Sequence, residues 1–196
     1  MEYVGGLLKI RFRDYAELFG LAGLIVAADQ YTKWLVRANL DYMEAWSPWP
    51  WLAPYARILH THNTGAAFGM LQQFGGVFMV LAMVVAVLIL FYFPQVPRTD
   101  WPLRLAMIMQ FSGAVGNLID RLHQGYVTDF ISVGSFAVFN IADACISMGV
   151  AVLIVGMLVK EYLDRRAASA EVNPEAPEVD IALPDRVGDA VEASHE

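Results

Sequence analysis

Four long apolar stretches dominate the pattern of hydrophobic and polar positions along the chain. They cover residues 15–36, 74–93, 102–122 and 141–163. Each has the roughly 20 residues that a helix needs to cross the hydrocarbon core of a bilayer. The second stretch carries no charge, whereas the other three hold polar residues that should face the protein interior or a membrane surface, because charge facing lipid is costly. The pattern therefore predicts an all-α polytopic membrane protein with four transmembrane helices.

The two longer connections between these stretches carry short β-like patterns. Residues 57–62 are partly β-branched and stop at the turn signal Asn63-Thr-Gly65, which favours a strand. Residues 127–139 offer a second strand. Residues 46–55 are dense in Trp, Pro and Tyr, as in an anchor at a membrane interface. We therefore expect a small extracytoplasmic β element on the outer membrane surface.

The distribution of basic residues predicts the orientation. Bases cluster before the first stretch, beside the connection between the second and third, and after the fourth: Lys9, Arg11, Arg13, Arg98, Arg104, Lys160, Arg165 and Arg166. Positive charge stays on the cytoplasmic side, so both termini are predicted to be cytoplasmic. The N-terminal bases and apolar residues also resemble a cleaved signal peptide. Apolar character resumes at residues 34–36, however, which favours an uncleaved first helix.

Composition and charge narrow the possibilities further. Of the 196 residues, 57% are hydrophobic and only 17% are charged, compared with about a quarter charged in soluble domains. Residues 167–196 hold eight acids and one base, which accounts for the net charge of −7. We interpret them as a disordered cytoplasmic tail after a membrane-embedded domain of residues 1–166. That domain is neutral and has no basic face, which argues against nucleic acid as a partner.

Polar clusters within and beside the apolar stretches hold the candidate catalytic and binding residues. Asp29 and Lys33 are spaced i,i+4 with the acid first, the better order for a helical ion pair. They form either a structural pair or a contact that supports a site or binds a lipid headgroup. Asn63 and Gly65 suit a turn and could equally position a substrate.

The third stretch ends in a polar stripe. Its members are three or four residues apart and share one helical face: Gln110, Gly113, Asn117, Asp120 and Arg121. Such a stripe can serve packing alone, because small and polar residues let helices approach and bond to each other. Asp120 and Arg121 are adjacent and cannot face each other, so each is expected to pair elsewhere.

Two aspartates flank the last connection. Asn140 fits a helix N-cap, and Asp143 at the third helical position suits the positive end of the helix dipole. Asp129 lies in the same short connection, so the two carboxylates can meet at the outer boundary of the bilayer. Neighbouring carboxylates share a proton, and then one can take a proton from water while the other polarises a carbonyl.

Other chemistries fit the sequence less well. Cys145 points about 200° away from Asp143 on a helix, which argues against a thiol nucleophile. Ser112 is expected too deep in its stretch to form a dyad with Lys33. His60 and His62 project to one side of a strand, but a metal site needs more ligands. We therefore predict neither a metal nor another cofactor.

Four motifs in order resemble the lipoprotein signal peptidase (signal peptidase II) family of bacterial inner-membrane aspartyl proteases. They are Asp29-x-x-Thr-Lys33, Asn63-x-Gly-x-x-Phe68, Gly116-Asn-x-x-Asp-Arg-x-x-x-Gly-x-Val-x-Asp-Phe130 and Phe139-Asn-x-Ala-Asp143. The resemblance covers about residues 15–163. Thr32 stands where serine is common, and residues 131–138 are shorter than usual in the family.

The resemblance implies a specific activity. It implies cleavage of signal peptides from diacylglyceryl-modified prolipoproteins, N-terminal to the lipidated cysteine, in the bacterial cytoplasmic membrane. It makes Asp129 and Asp143 the catalytic pair. It also makes the remaining polar motif positions supporting or substrate-binding residues: Asp29, Lys33, Asn63, Gly65, Asn117, Asp120, Arg121 and Asn140. The expected partners are prolipoproteins and membrane lipids, and the expected state is a monomer.

Two functions from other classes stay open on sequence grounds. A proton-coupled carrier could use the same aspartates as a relay, and it would yield no peptide product. The chain shows no internal repeat, which counts against a carrier built from inverted halves. A non-catalytic scaffold would tolerate asparagine at positions 129 and 143 together.

Overall fold

Four helices and a small antiparallel sheet make up the computed structural model, which describes residues 2–65 and 75–172, with side chains for 12–65 and 75–166. The elements are α1 (Glu2–Asn39), β1 (Ala45–Trp46), β2 (Ala56–Asn63), α2 (Gly75–Tyr92), α3 (Trp101–Gln124), β3 (Val127–Val133) and α4 (Ile141–Val172). Two units separate along the chain, Met1–Leu158 and Val159–Glu196. The sheet and every candidate site residue belong to the first unit. The predicted combination of a mostly helical protein with a small β element is confirmed.

The helices at the two ends of the chain are longer than the apolar pattern predicts. α1 spans Glu2–Asn39, whereas the apolar stretch covers residues 15–36. α4 continues to Val172, so residues 167–172, which were predicted to belong to the tail, are helical. The sequence Ala167-Ala-Ser-Ala170 favours helix. Residues 141–173 contain no proline, and the next one is Pro174. The rest of the predicted tail, 173–196, lies outside the described residues.

Local signals set the ends of the middle helices. α2 gives way at Phe93–Gln95 to a short 3₁₀ helix that contains Pro94. α3 begins after Asp100, whose side chain accepts a hydrogen bond from the Leu103 amide, and it ends at Gly125. Gly125 has φ 78°, a left-handed conformation that favours glycine as a helix terminator. Phe74, the predicted start of the second stretch, lies outside the described residues.

The sheet has the strand order β1-β2-β3, with both pairs antiparallel. β2 and β3 confirm the two predicted strands, and the isolated pairing of Ile131 with Phe139 brings the chain back towards α4. A register irregularity lies between Ile58 and Thr61, beyond which Thr61 stands opposite Asp129. The short edge strand β1 was not predicted, because two residues carry no readable alternation.

Apolar packing joins the first three helices. Leu18 and Ala22 of α1 pack with Ile89 of α2 and with Ile108 and Phe111 of α3. Within the described residues, two segments are long and apolar enough to cross a membrane, Gly75–Gln95 and Ile141–Arg166. α1 and α3 instead carry charged side chains that pair with each other inside the protein. These pairs position the polar groups of the site.

Candidate active site

The N-terminus of α4 holds one of the two candidate aspartates. Asn140 Oδ1 accepts a hydrogen bond from the Asp143 amide at 3.0 Å, and Asp143 Oδ2 accepts one from the Asn140 amide at 3.3 Å. This reciprocal arrangement is a capping box. The predicted capping role of both residues is confirmed, and the cap fixes the position of the Asp143 carboxylate.

The second aspartate comes from the sheet. Asp129 lies on β3 with 2% of its surface exposed. Its Oδ1 accepts a hydrogen bond from Asn140 Nδ2 at 2.7 Å, and its Oδ2 accepts one from Asn63 Nδ2 at 2.9 Å. Thr61 Oγ1 also donates to the Asp129 backbone oxygen at 3.2 Å. Contacts from β2 and α4 therefore hold the carboxylate on both sides.

Asn140 joins the two aspartates into one group. Its side-chain nitrogen bonds to Asp129, while its backbone nitrogen and its side-chain oxygen both bond to Asp143. Burial and the nearby charge of Asp143 raise the pKa of Asp129 to about 7, although hydrogen bonds from Asn63 and Asn140 oppose the rise. Near neutral pH, the pair can therefore hold a proton on one member.

Asn117 of α3 lies behind the aspartates. Its Nδ2 donates to Asp143 Oδ1 at 2.8 Å. Its Oδ1 accepts from Lys33 Nζ at 3.0 Å and from Asn140 Nδ2 at 3.2 Å. One amide thus connects the ammonium of α1 to the carboxylate at the start of α4.

Lys33 is the centre of a buried charge cluster. Its ammonium lies 2.8 Å from Asp29 Oδ2 and 3.1 Å from Asp120 Oδ2, and all three side chains are at most 1% exposed. The predicted ion pair of Asp29 with Lys33 is confirmed. Asp120 also pairs away from its neighbour Arg121, as the helix geometry requires.

The two acids of this cluster also fix the elements that carry the candidate pair. Asp29 Oδ1 accepts from the Ala142 amide at 2.9 Å, which holds the first turn of α4. Asp120 Oδ2 accepts from the Thr128 amide at 3.0 Å, immediately before Asp129. The same side chains therefore neutralise Lys33 and position the backbone beside each aspartate.

A cavity of about 630 Å³ opens beside the pair. Asn63, Gly65, Asn117, Arg121 and Asp143 line its polar side. Arg121 Nη2 donates to the Gly65 carbonyl at 3.3 Å, and the Gly65 amide donates to Asn63 Oδ1 at 2.9 Å. Asn63 thus makes the expected turn and also contacts Asp129. The interpretation of Asn63 as a turn residue is therefore compatible with its interpretation as a residue that positions a substrate.

The sequence pattern did not identify two supporting residues, Gln30 of α1 and Thr128 of β3. Gln30 Nε2 bonds to Asp29 Oδ2, to Asp120 Oδ1 at 3.2 Å and to the Gly116 carbonyl. Thr128 Oγ1 accepts from Arg37 Nη1 at 3.0 Å. Gln30 precedes Lys33 by three residues, and this helical spacing could have placed both on one face.

The geometry does not support the other chemistries considered. Ser112 Oγ donates to the Ile108 carbonyl at 2.6 Å, and Lys33 Nζ contacts Asp29, Asp120 and Asn117 instead of Ser112. The rings of His60 and His62 lie 5.1 Å apart. No group of three or more His, Cys, Asp or Glu side chains able to hold a metal occurs among the described residues.

All ten predicted site residues lie in one connected arrangement. Eight surround the pair through the contacts given above: Asp29, Lys33, Asn63, Gly65, Asn117, Asp120, Arg121 and Asn140. They come from α1, β2, the turn after it, α3 and α4. Phe68, the last position of the second motif, lies outside the described residues.

Known proteins are similar to this chain in sequence and in fold. The family described as signal peptidase (SPase) II matches residues 21–159. A lipoprotein signal peptidase of Moorella thermoacetica is 39% identical over 133 residues, which cover 68% of this chain and 87% of that protein. Another from Acinetobacter baylyi is 37% identical over 161 residues, which cover 78% and 87%.

The structure of a bacterial membrane enzyme, solved by the in meso method at 2.3 Å resolution, is similar to this chain with a TM-score of 0.67 and 26% identity. The match covers 84% of this chain and 94% of that chain. A second bacterial membrane enzyme, at 1.9 Å resolution, has a TM-score of 0.65 and 27% identity over 73% and 93%. On these grounds, the chain belongs to the signal peptidase II family.

Proposed function

We propose that this chain removes signal peptides from diacylglyceryl-modified prolipoproteins, and that Asp129 and Asp143 are its catalytic pair. Its family and its lipoprotein signal peptidase relatives identify it as an aspartic-type protease. One observation carries the assignment of the pair: a strand aspartate and a helix aspartate are both hydrogen bonded to Asn140, and the helix aspartate, Asp143, lines a cavity. The cut falls N-terminal to the lipidated cysteine.

The proposed reaction needs only these two carboxylates and water. The ionised carboxylate takes a proton from water, and the water oxygen attacks the carbonyl carbon of the scissile bond. The protonated carboxyl donates a hydrogen bond to the carbonyl oxygen, which becomes negative in the transition state. The tetrahedral intermediate collapses as the C–N bond breaks, and a proton passes to the departing nitrogen.

The cavity suits an apolar peptide with a lipid attached. Phe78, Leu81 and Val85 of α2 form an apolar wall opposite the polar side. Arg121 Nε is buried and has no hydrogen-bond partner among the described residues, so it is free to donate to a substrate oxygen. We assign Arg121 and Asn63 to orienting the substrate backbone.

Four helices spanning a bilayer complete the proposal. α2 and α4 expose apolar side chains along their lengths, including Val80, Val84 and Val87 of α2 and Ile154 of α4. Such faces fit a lipid environment. In the proposed topology, residues 1–166 form the membrane domain, both termini are cytoplasmic, and the sheet and aspartates lie at the outer surface. The proposed working unit is a monomer in the bacterial inner membrane, in contact with lipids and not with nucleic acid.

A cleavage assay tests the substrate assignment. The purified full chain is incubated in lipid vesicles with a prolipoprotein whose cysteine carries diacylglycerol, and the product is analysed by gel shift and mass spectrometry. The matched control is the same precursor without the lipid. We expect a product that begins with the lipidated cysteine and at least tenfold slower cleavage of the control. No peptide product, or transport of protons without cleavage, would reject the proposal.

A further inference from the structure

The orientation of the Asn117 amide is fixed by its neighbours. Two donors, Lys33 Nζ at 3.0 Å and Asn140 Nδ2 at 3.2 Å, approach its oxygen. Its nitrogen therefore faces Asp143 Oδ1 at 2.8 Å. A flipped amide would place its N–H groups against an ammonium and a second amide nitrogen, and its oxygen against a carboxylate. Only the observed orientation satisfies every group.

The ammonium is the stronger of these two determinants. Lys33 carries a full charge and is held on its other side by Asp29 and Asp120, so it cannot rotate away without leaving the buried Asp29 without a cation and Asp120 with Arg37 at 4.0 Å. Charge-assisted hydrogen bonds are also about twice as strong as neutral ones. The position of Lys33 therefore decides which atom of Asn117 faces the aspartates.

The two aspartates differ in their surroundings. Asp143 lies in the first turn of α4, where the helix dipole favours a negative charge. Its carboxylate also accepts a hydrogen bond from the backbone N–H of Asn140. Asp129 lies on a strand, and within the described part of the chain its carboxylate accepts hydrogen bonds from two side-chain amides, those of Asn63 and Asn140. If one of the two carboxylates is ionised, these surroundings favour Asp143.

We propose that Lys33 is a positioning residue: through the amide of Asn117 it keeps Asp143 ionised as the base that activates water and leaves the proton on Asp129 as the acid. This inference rests on the proposed function, because it divides the two catalytic roles between the two aspartates. Lys33 does not touch the reacting atoms and acts through Asn117.

A charge-balanced pair of variants isolates the ammonium. Lys33→Met alone would leave the buried Asp29 without a cation and Asp120 with Arg37 at 4.0 Å, a loss large enough to unfold the protein. The double variant Asp29→Asn/Lys33→Met removes one acid with the base, and Asp29→Asn alone is its matched control. The two differ only in the ammonium that contacts Asn117. Both are assayed for kcat and KM against pH with the lipidated precursor, and melting temperatures are recorded.

The double variant should differ from Asp29→Asn in kcat and in its pH profile. We expect kcat to be at least about tenfold lower and KM to change less than about twofold. The kcat/KM profile should move about one unit to higher pH, because the lost positive charge no longer lowers the pKa of Asp129. The other charged groups around the pair are the same in both proteins: Arg37, Asp120, Arg121 and Asp143.

A double variant with the kcat and pH profile of Asp29→Asn would overturn the inference. If the double variant does not fold, Asn117→Asp decides instead, because it keeps an acceptor for Lys33 and Asn140 but removes the donor to Asp143. An Asn117→Asp profile identical to that of the unmodified protein would overturn the inference. If the unmodified protein does not cut the precursor, the proposed function fails first, so the two failures are distinguishable.

Discussion

At the residue scale, Asn140 connects structure with chemistry. It caps α4 through its side-chain oxygen and holds Asp129 through its side-chain nitrogen. The capping interpretation and the catalytic interpretation are alternatives in sequence, but the observed contacts show the cap and are compatible with the proposed catalytic role. A side chain that stabilises a helix end can thus also set the distance between two reacting groups.

The raised pKa of Asp129 predicts how activity depends on pH. With a pKa of about 7, Asp129 keeps its proton below neutrality and loses it above, so the acid of the pair disappears as pH rises. We expect kcat/KM to fall by about tenfold per unit above pH 7–8, with the apparent value belonging to the coupled pair. Steady-state cleavage between pH 5 and 9 at constant ionic strength measures this. A rate that keeps rising to pH 9 would contradict it.

The residues of the site can largely be predicted from the sequence, but the hydrogen bonds between residues distant in the chain cannot. The spacing of Asp29 and Lys33 predicts an ion pair, and the adjacency of Asp120 and Arg121 predicts separate partners. The hydrogen bonds that Asn63 and Asn117 donate to Asp129 and Asp143 join residues 66 and 26 positions apart, so no local period reveals them. Gln30 was missed because its contacts depend on how α1 packs against α3.

At the element scale, small residues let α3 approach α1 and α4. A Cβ added at Gly113 would lie 2.5 Å from the Ala142 carbonyl oxygen, and one at Gly116 would lie 2.7 Å from Asp29 Oδ2. Neither neighbour can yield easily, because the first is backbone and the second is held by Lys33. These two glycines therefore set the position of the first turn of α4, which carries Asp143.

Gly113→Ala should separate α3 from α4. We expect a loss of about 1–3 kcal/mol in unfolding free energy from overpacking, and a fall in kcat because Asp143 moves relative to Asp129. The matched control is Gly23→Ala in α1, where an added Cβ meets nothing within 4 Å. That variant should be neutral or slightly stabilising. Equal melting temperatures for the two variants would show that the contact is not restrictive.

The types of the predicted elements were correct, but their lengths were predicted less well. Long apolar runs gave four helices, and residues 57–62 and 127–139 gave β2 and β3. An apolar run predicts the segment that lipid or protein can bury, but helix propensity continues beyond that segment. α1 and α4 are therefore longer than the apolar runs. β1 is defined by the pairing of Ala45 with Leu59 across the sheet. A strand of two residues is too short for its sequence pattern to predict such a contact.

At the scale of the whole molecule, the central question is which surfaces face lipid and which face water. The connection that contains Pro48 is rich in exposed aromatic residues, and the Trp49 and Trp51 rings stack 5.9 Å apart. The opposite connection holds Arg98, paired with Asp14. Aromatic residues suit a membrane interface, and the basic residue suits the cytoplasmic side.

Cysteine labelling can measure this topology. Cys145 is the only cysteine, so Cys145→Ala gives a cysteine-free background that should retain full cleavage activity. In that background, Pro48→Cys should react with a membrane-impermeant maleimide in intact spheroplasts. Thr99 is also exposed on the protein, but Thr99→Cys should react only after permeabilisation. Labelling of both positions in intact cells would rule out the proposed orientation.

Single-turnover kinetics test whether Asp129 and Asp143 together cleave the peptide bond. Asp129→Asn and Asp143→Asn are compared with the unmodified protein on the lipidated precursor, with melting temperatures as the control for folding. We predict that each variant stays folded and that its rate falls by at least about a thousandfold, because either loss removes the acid or the base. A folded variant that retains more than about a tenth of the rate would contradict the account.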